Sequence, residues 1–204
     1  MIYSPGQAEV LFSFWPPDAE WFIVGGPADG NEAETVKEKY PDVECIGFEP
    51  DPEMYAYQKT RFPGVIYNEA LWSSATELSL VIPGSNGNIN HRCSSVCRDI
   101  EKERQAETHT VAGWALDDLS AKYGPFRNAV LWIDIEFAEL EALKGCARLL
   151  ESGRVLLINL ETYDHLYAEI EDYLTQYNFV ATHKWNTRGQ RGRFDMIFTK
   201  GTEQ

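Results

Sequence analysis

Asp134 and Glu136 close the apolar run Leu131-Trp132-Ile133, and Glu161 closes the next such run, Val155–Leu160. Carboxylates at the ends of buried strands are costly unless hydrogen-bonded or used. Two uses suit this set. A carboxylate whose pKa is lifted by a like-charged neighbour is a base for a reacting hydroxyl. Three hard oxygen ligands are also a seat for Mg or Ca. The spacing does not demand a metal, so the base reading is favoured, with Asp134 first and Glu136 and Glu161 behind it. The competing role for Asp134 is a cap on the helix that follows it.

A second constellation lies nearer the amino terminus. Gly25-Gly26-Pro27-Ala28-Asp29-Gly30 follows the apolar run Trp21–Val24, and Glu49 ends the run Cys45–Phe48. Glycines let the backbone turn tightly and let a ligand approach it. An acid at the next strand end, about 20 residues on, suits a grip on ribose hydroxyls. The turn lacks the G-x-G-x-x-G spacing of dinucleotide sites, which favours a nucleoside without phosphates. S-adenosylmethionine meets that description.

These residues need a scaffold that brings strand ends together. Strand-like runs alternate with helical patterns: helices over 31–40, 52–62, 116–123, 138–150 and 163–177, and strands between them, among them 65–67 with its exit at 70–72, 77–82 and 108–111. Such alternation predicts an α/β fold, a mostly parallel sheet with helices on both faces. Phe179–Trp185 and Phe194–Thr199 are expected to pair as an antiparallel closing hairpin. Gly84 to about Glu107 breaks the pattern, with a short exposed helix or mobile stretch over 98–105. Residues 1–20 read as an amino-terminal arm, and 21–204 as a single domain. Phe12, Phe14 and Trp15 in the arm suggest a packing surface or the contact of a homodimer.

The chain has 204 residues and a formal charge of −14, which argues against nucleic acid and against anionic membrane as partners. No apolar run is long enough to span a bilayer. No basic segment followed by an apolar one opens the chain, so a cytoplasmic protein is expected. The four cysteines, Cys45, Cys93, Cys97 and Cys146, read as reduced core or loop thiols. A zinc site at Cys93 and Cys97 lacks a second ligand pair, and a disulfide between them stays open.

The chain resembles the FkbM-type methyltransferases, which use S-adenosylmethionine to methylate oxygen. Matching segments run in the family's order over about residues 20–200: Val24-Gly25-Gly26 through Asp29-Gly30, Gly47-Phe48-Glu49-Pro50-Asp51-Pro52 and Asn68-Glu69-Ala70-Leu71-Trp72. They continue with Leu116-Asp117-Asp118-Leu119, Ile133-Asp134-Ile135-Glu136, Leu143-Lys144-Gly145 and Glu161. The resemblance implies a Rossmann-like, seven-stranded class I methyltransferase sheet with the last strand antiparallel. It implies that Gly25, Gly26 and Gly30 cradle the methionine part of the cofactor, with Asp29 near its amino group. Glu49 would hold the ribose, and Glu69 and Ala70 would meet the adenine edge. Asp134 would lie beside the sulfonium and the acceptor.

The sequence departs from the family at several positions. Ile23 stands where the family carries an acid, Pro27-Ala28 lengthens the turn, Trp132 replaces a lysine, and Phe137 replaces a glycine. The acceptor is expected to be a hydroxyl of a small molecule or glycan. His91 and the segment Lys184–Arg193, the only basic cluster and one that includes Trp185, are the cues for it. Two other readings stay open: a non-catalytic methyltransferase-like binding protein, and a Rossmann enzyme using NAD or another nucleotide.

Overall fold

The apolar runs at Trp21–Gly25 (β1), Glu44–Phe48 (β2) and Ala129–Ile133 (β8) place successive side chains in opposite hydrophobic clusters. Ile23, Leu131 and Ile133 join one cluster, while Phe22, Val24, Val130 and Trp132 join the other. A strand buried on both faces has no polar side to give to water, so helices must cover both. A computed structural model describes residues 5–85, 88–97, 105–186 and 192–201.

Its main sheet has seven strands in the order β10-β11-β9-β8-β1-β2-β3. β3 is Val65–Tyr67, β9 Val155–Tyr163, β10 Phe179–Asn186 and β11 Arg193–Lys200. β1 pairs in parallel with β2 and β8, β2 with β3, and β8 with β9. β11 runs antiparallel between β9 and β10. This is the expected Rossmann-like sheet with its closing hairpin. The order reverses between β1 and β8, and open α/β sheets bind ligands at such a switch.

Helices α4 (Leu116–Tyr123), α5 (Glu139–Lys144), α6 (Ala147–Glu151) and α7 (Asp164–Thr175) contribute Leu119, Leu143, Leu150 and Ile170 to one face. On the other face lie α1 (Pro5–Ser13) and α2 (Glu32–Lys39). There Trp15 stacks on Tyr40 with ring centroids 4.8 Å apart, and Phe12 meets Tyr40 edge-on. The aromatic arm therefore packs on its own sheet.

Three expectations from the sequence change. The single helix over 138–150 is two helices: the Gly145 carbonyl accepts from Asp117 N–H, and the Asp117 carboxylate takes the N–H groups of Arg148 and Leu149. The helix begun at Pro52 (α3) ends at Gln58. The irregular middle holds a second sheet, β4-β7-β5-β6. In it, β5 (Thr76–Ser85) pairs antiparallel along the whole of β7 (Gln105–Trp114), with β4 (Ala70–Leu71) and β6 (Asn88–Ile89) at its edges. The segment 98–104, expected to be helical or mobile, lies outside the described residues. Among the described residues, no helix is long and apolar enough to cross a membrane.

Candidate active site

The glycine bend is stitched to both neighbouring strands. Gly26 donates its N–H to the Phe48 carbonyl at 2.9 Å, and Asp134 donates its N–H to the Gly25 carbonyl at 3.1 Å. Gly26 has φ +74°, and a Cβ there would collide with the Asp134 carbonyl oxygen. Only glycine satisfies both conditions.

The bend then presents Ala28 N–H to Glu49 Oε2 at 2.8 Å, while Asp51 N–H donates to Glu49 Oε1 at 2.9 Å. Burial lifts the Glu49 carboxyl to about 7 against the pull of these two hydrogen bonds. Asp51 caps α3 by accepting from Glu53 and Met54 N–H, with Pro52 at the first helical position. A 3-10 turn, His91–Cys93, lies over this corner. His91 Nδ1 lies 2.9 Å from Asp51 Oδ2 and its Nε2 lies 3.1 Å from Glu53. The loop histidine is thus tied to the start of α3.

Between the bend and the second sheet lies an open cleft of about 480 Å³, walled by Gly26, Phe48, Glu49, Ala70, Leu71 and Leu80, with Asp134 at its far end. Glu69 stands beside it. One of its carboxylate oxygens is 3.9 Å from Lys122 Nζ, and the other is buried with no hydrogen-bond partner. Burial raises its pKa and Lys122 opposes the shift.

A second, polar cleft of about 650 Å³ shares Gly26, Ala28, Arg92, Asp134 and Glu136 with the first. At its floor the three predicted carboxylates converge. Their ligand atoms lie within 4.8 Å of one another, close enough to share a cation. The guanidinium of Arg193 reaches all three: Nη2 is 3.6 Å from Asp134, Nη1 is 3.3 Å from Glu136, and Nη2 also pairs with Glu161. Tyr163 donates its hydroxyl to Glu136 Oε2 at 2.9 Å. Side-chain exposure separates the acids: 28% for Asp134, 5% for Glu136 and 4% for Glu161. Asp134 and Glu136 both line the clefts, Asp134 the more exposed of the two, and Glu161 lies behind them. Burial raises the Asp134 pKa, and Arg193 pulls it back.

Several expectations change here. Asp134 does not cap α5, whose cap position is Ala138 with no side-chain bond. Glu161 lies inside β9 rather than at its end, because β11 extends the pairing to Tyr163 opposite Arg193. Gly30 lines neither cleft. A Cβ there would collide with the Glu32 carboxylate. Asp29 pairs with Arg92 across the mouth. Of the described residues of the basic cluster, Arg193 is buried among acids, Lys184 lies over the Phe194 ring at 3.4 Å, and Trp185 packs on the α1–α2 face. Residues 187–191 of that cluster lie outside the described residues. All four cysteines are free thiols.

Sequence reasoning missed Arg193 as the counter-charge, along with Tyr163 and Glu139. Glu139 is buried, accepts Ile135 N–H at 3.3 Å and is pushed up to about 8 by burial. The available signal was an arginine opening the strand Arg-Phe-Asp-Met-Ile-Phe, which is apolar apart from Arg193 and Asp195. Phe137, the ring in place of glycine, holds φ +78° and stacks on Tyr163 at 4.4 Å. That backbone region suits glycine and strains a bulky residue.

The model of the methyltransferase FkbM domain matches residues 26–181. The chain belongs to this family. Its matched span includes the bend, Glu49, Glu69 and all three carboxylates, but stops before Arg193. Solved methyltransferases share the fold of this FkbM member at low identity. An rRNA methylase from Streptococcus thermophilus aligns with TM-score 0.54 and 11% identity, over 98% of each chain. Precorrin-6y C5,15-methyltransferase from Geobacter metallireducens aligns with 0.52 and 12%, over 96% of this chain and 88% of that one. Human methyltransferase 10 domain containing protein aligns with 0.54 and 10%, over 98% and 83%. No curated protein sequence matches the chain.

Proposed function

We propose that this FkbM member is an S-adenosylmethionine-dependent O-methyltransferase acting on a hydroxyl of a small molecule or glycan. The observation that carries the reading is the placement of Asp134, which lines both the more apolar cleft beside Glu49 and the polar cleft next to it.

The residues present fit the cofactor. The Gly26 bend leaves no room for a side chain, Glu49 is a carboxylate pinned by backbone N–H groups, and Glu69 keeps a buried oxygen without a hydrogen-bond partner. In this reading Glu49 accepts from the ribose hydroxyls, and Glu69 accepts from the adenine amino group beside the Ala70 backbone. Gly25 and Gly26 admit the methionine part. When bound, the cofactor supplies a methyl group on a positively charged sulfur.

The protein's share of the reaction is positioning and one proton. In-line approach of a hydroxyl oxygen at the junction of the two clefts accounts for most of the acceleration. Asp134 takes the hydroxyl proton as the bond to carbon forms. Burial raises its pKa, which suits a base, and Arg193 opposes the rise. Glu136 and Glu161 hold Arg193. The guanidinium stands where a shared metal ion would sit, which supports a metal-independent reaction. The S. thermophilus neighbour is an rRNA methylase by name. For this chain a charge of −14 favours a small acceptor.

A screen of sugar and natural-product alcohols with labelled methyl donor identifies the acceptor. With it, Asp134→Asn is expected to lower turnover about 100-fold or more while S-adenosylhomocysteine binding stays within a few-fold. Undiminished turnover would remove Asp134 as the base.

A further inference from the structure

Glu32, the first residue of α2, lines the polar cleft opposite Asp134 and beside the glycine bend. Its carboxylate folds back over the bend, which is why position 30 has no room for a Cβ. Among the described residues, no side chain of another residue pairs with it. The other acids of the cleft are engaged: Asp29 with Arg92, and Asp134 and Glu136 with Arg193. Burial pushes Glu32 up to about 7 against the pull of its own backbone N–H, and the charges of Asp134 and Asp29 add smaller upward pushes. A desolvated carboxylate in that position is stabilised by a cation. The core residue Ile23, 1% exposed on β1, supplies no charge on this side of the bend.

With the nucleoside on Glu49 and its sulfur toward Asp134, the amino-acid tail enters the polar cleft at Gly26. We infer that Glu32 is the anchor for the ammonium group of the cofactor's amino-acid tail, the part the sequence resemblance gave to Asp29. The inference rests on the function proposed above.

Two nucleosides separate the two claims. S-adenosylhomocysteine carries the tail, and 5′-methylthioadenosine lacks it. Calorimetry of Glu32→Gln is expected to show S-adenosylhomocysteine binding weakened about 10- to 100-fold, the range for a hydrogen bond to a charged group. Methylthioadenosine binding should stay within about twofold, which also shows that the variant is folded. Asp29→Asn should weaken S-adenosylhomocysteine less than Glu32→Gln does, since Asp29 is already paired. Equal loss of both ligands, or no loss of either, overturns the role of Glu32. If the native protein binds neither nucleoside, the nucleoside site itself falls and this inference with it.

Discussion

At the nucleoside end of the cleft, Glu49 is held by two backbone N–H groups from the bend and from the turn after β2. At the transfer end, Asp134, Glu136 and Glu161 are held by one guanidinium from β11, far along the chain. The first arrangement costs little, because backbone donors are fixed by the fold whether or not a ligand is bound. The second places several charges in low dielectric, and each is tolerable only while the others remain. On the proposed function, binding would rest on backbone geometry and chemistry on a charge network. The two ends should fail differently when disturbed.

The largest expected effect is on the network. Arg193→Met leaves three acids without their shared cation, and breaking a buried ion pair from one side costs about 3–5 kcal/mol. Urea unfolding measures this directly, and an unchanged midpoint would mean that the acids are satisfied without Arg193.

At the other end, Glu49→Gln offers an amide N–H₂ where the bend presents a donor, and it removes the charge facing the ribose. Methylthioadenosine binding should weaken about 10- to 100-fold. Glu49 titrates near 7, so native binding should tighten as pH rises from 6 to 8, when the carboxylate becomes ionised and accepts from the ribose. The glutamine variant should show no such slope, and a persisting slope would assign it to another group.

The smallest effect sharpens the account of the charge network. Glu139 holds a folded-state pKa of about 8, above its ordinary 4.5. A raised carboxyl pKa means that the folded state binds the proton more tightly than the unfolded one. Its penalty is absent below about 4.5 and grows as pH climbs to about 8. Glu139→Gln keeps an acceptor for Ile135 N–H and removes that penalty. Thermal unfolding should match the native protein at pH 4.5 and rise by a few degrees at pH 8, about 1 kcal/mol for a chain of this size. A gain at the acidic end instead would reverse the assigned direction.

The same contrast explains what could be read from the chain. The Gly bend, Glu49, Asp134 and the strands that carry them are local patterns: an apolar run, then a turn or an acid at its end. Those were legible, as was the closing hairpin from its two strand-like runs. Arg193 was visible only as one basic residue among several, because its role depends on β11 docking antiparallel against β9. The second sheet was legible in part. The alternation over 77–82 and the run 108–111 mark the cores of β5 and β7, while the extension of these strands to Ser85 and back to Gln105 depends on their pairing with each other. The break at Gly145 depends on hydrogen bonds to Asp117, which no helical pattern near Gly145 reveals.

A crystal structure with S-adenosylhomocysteine bound tests the central claim most directly. The account predicts both ribose hydroxyls on the Glu49 carboxylate, adenine beside Glu69 and Ala70, and the thioether sulfur at the junction facing Asp134. A nucleoside seated elsewhere, or seated here with its sulfur turned away from Asp134, would contradict it.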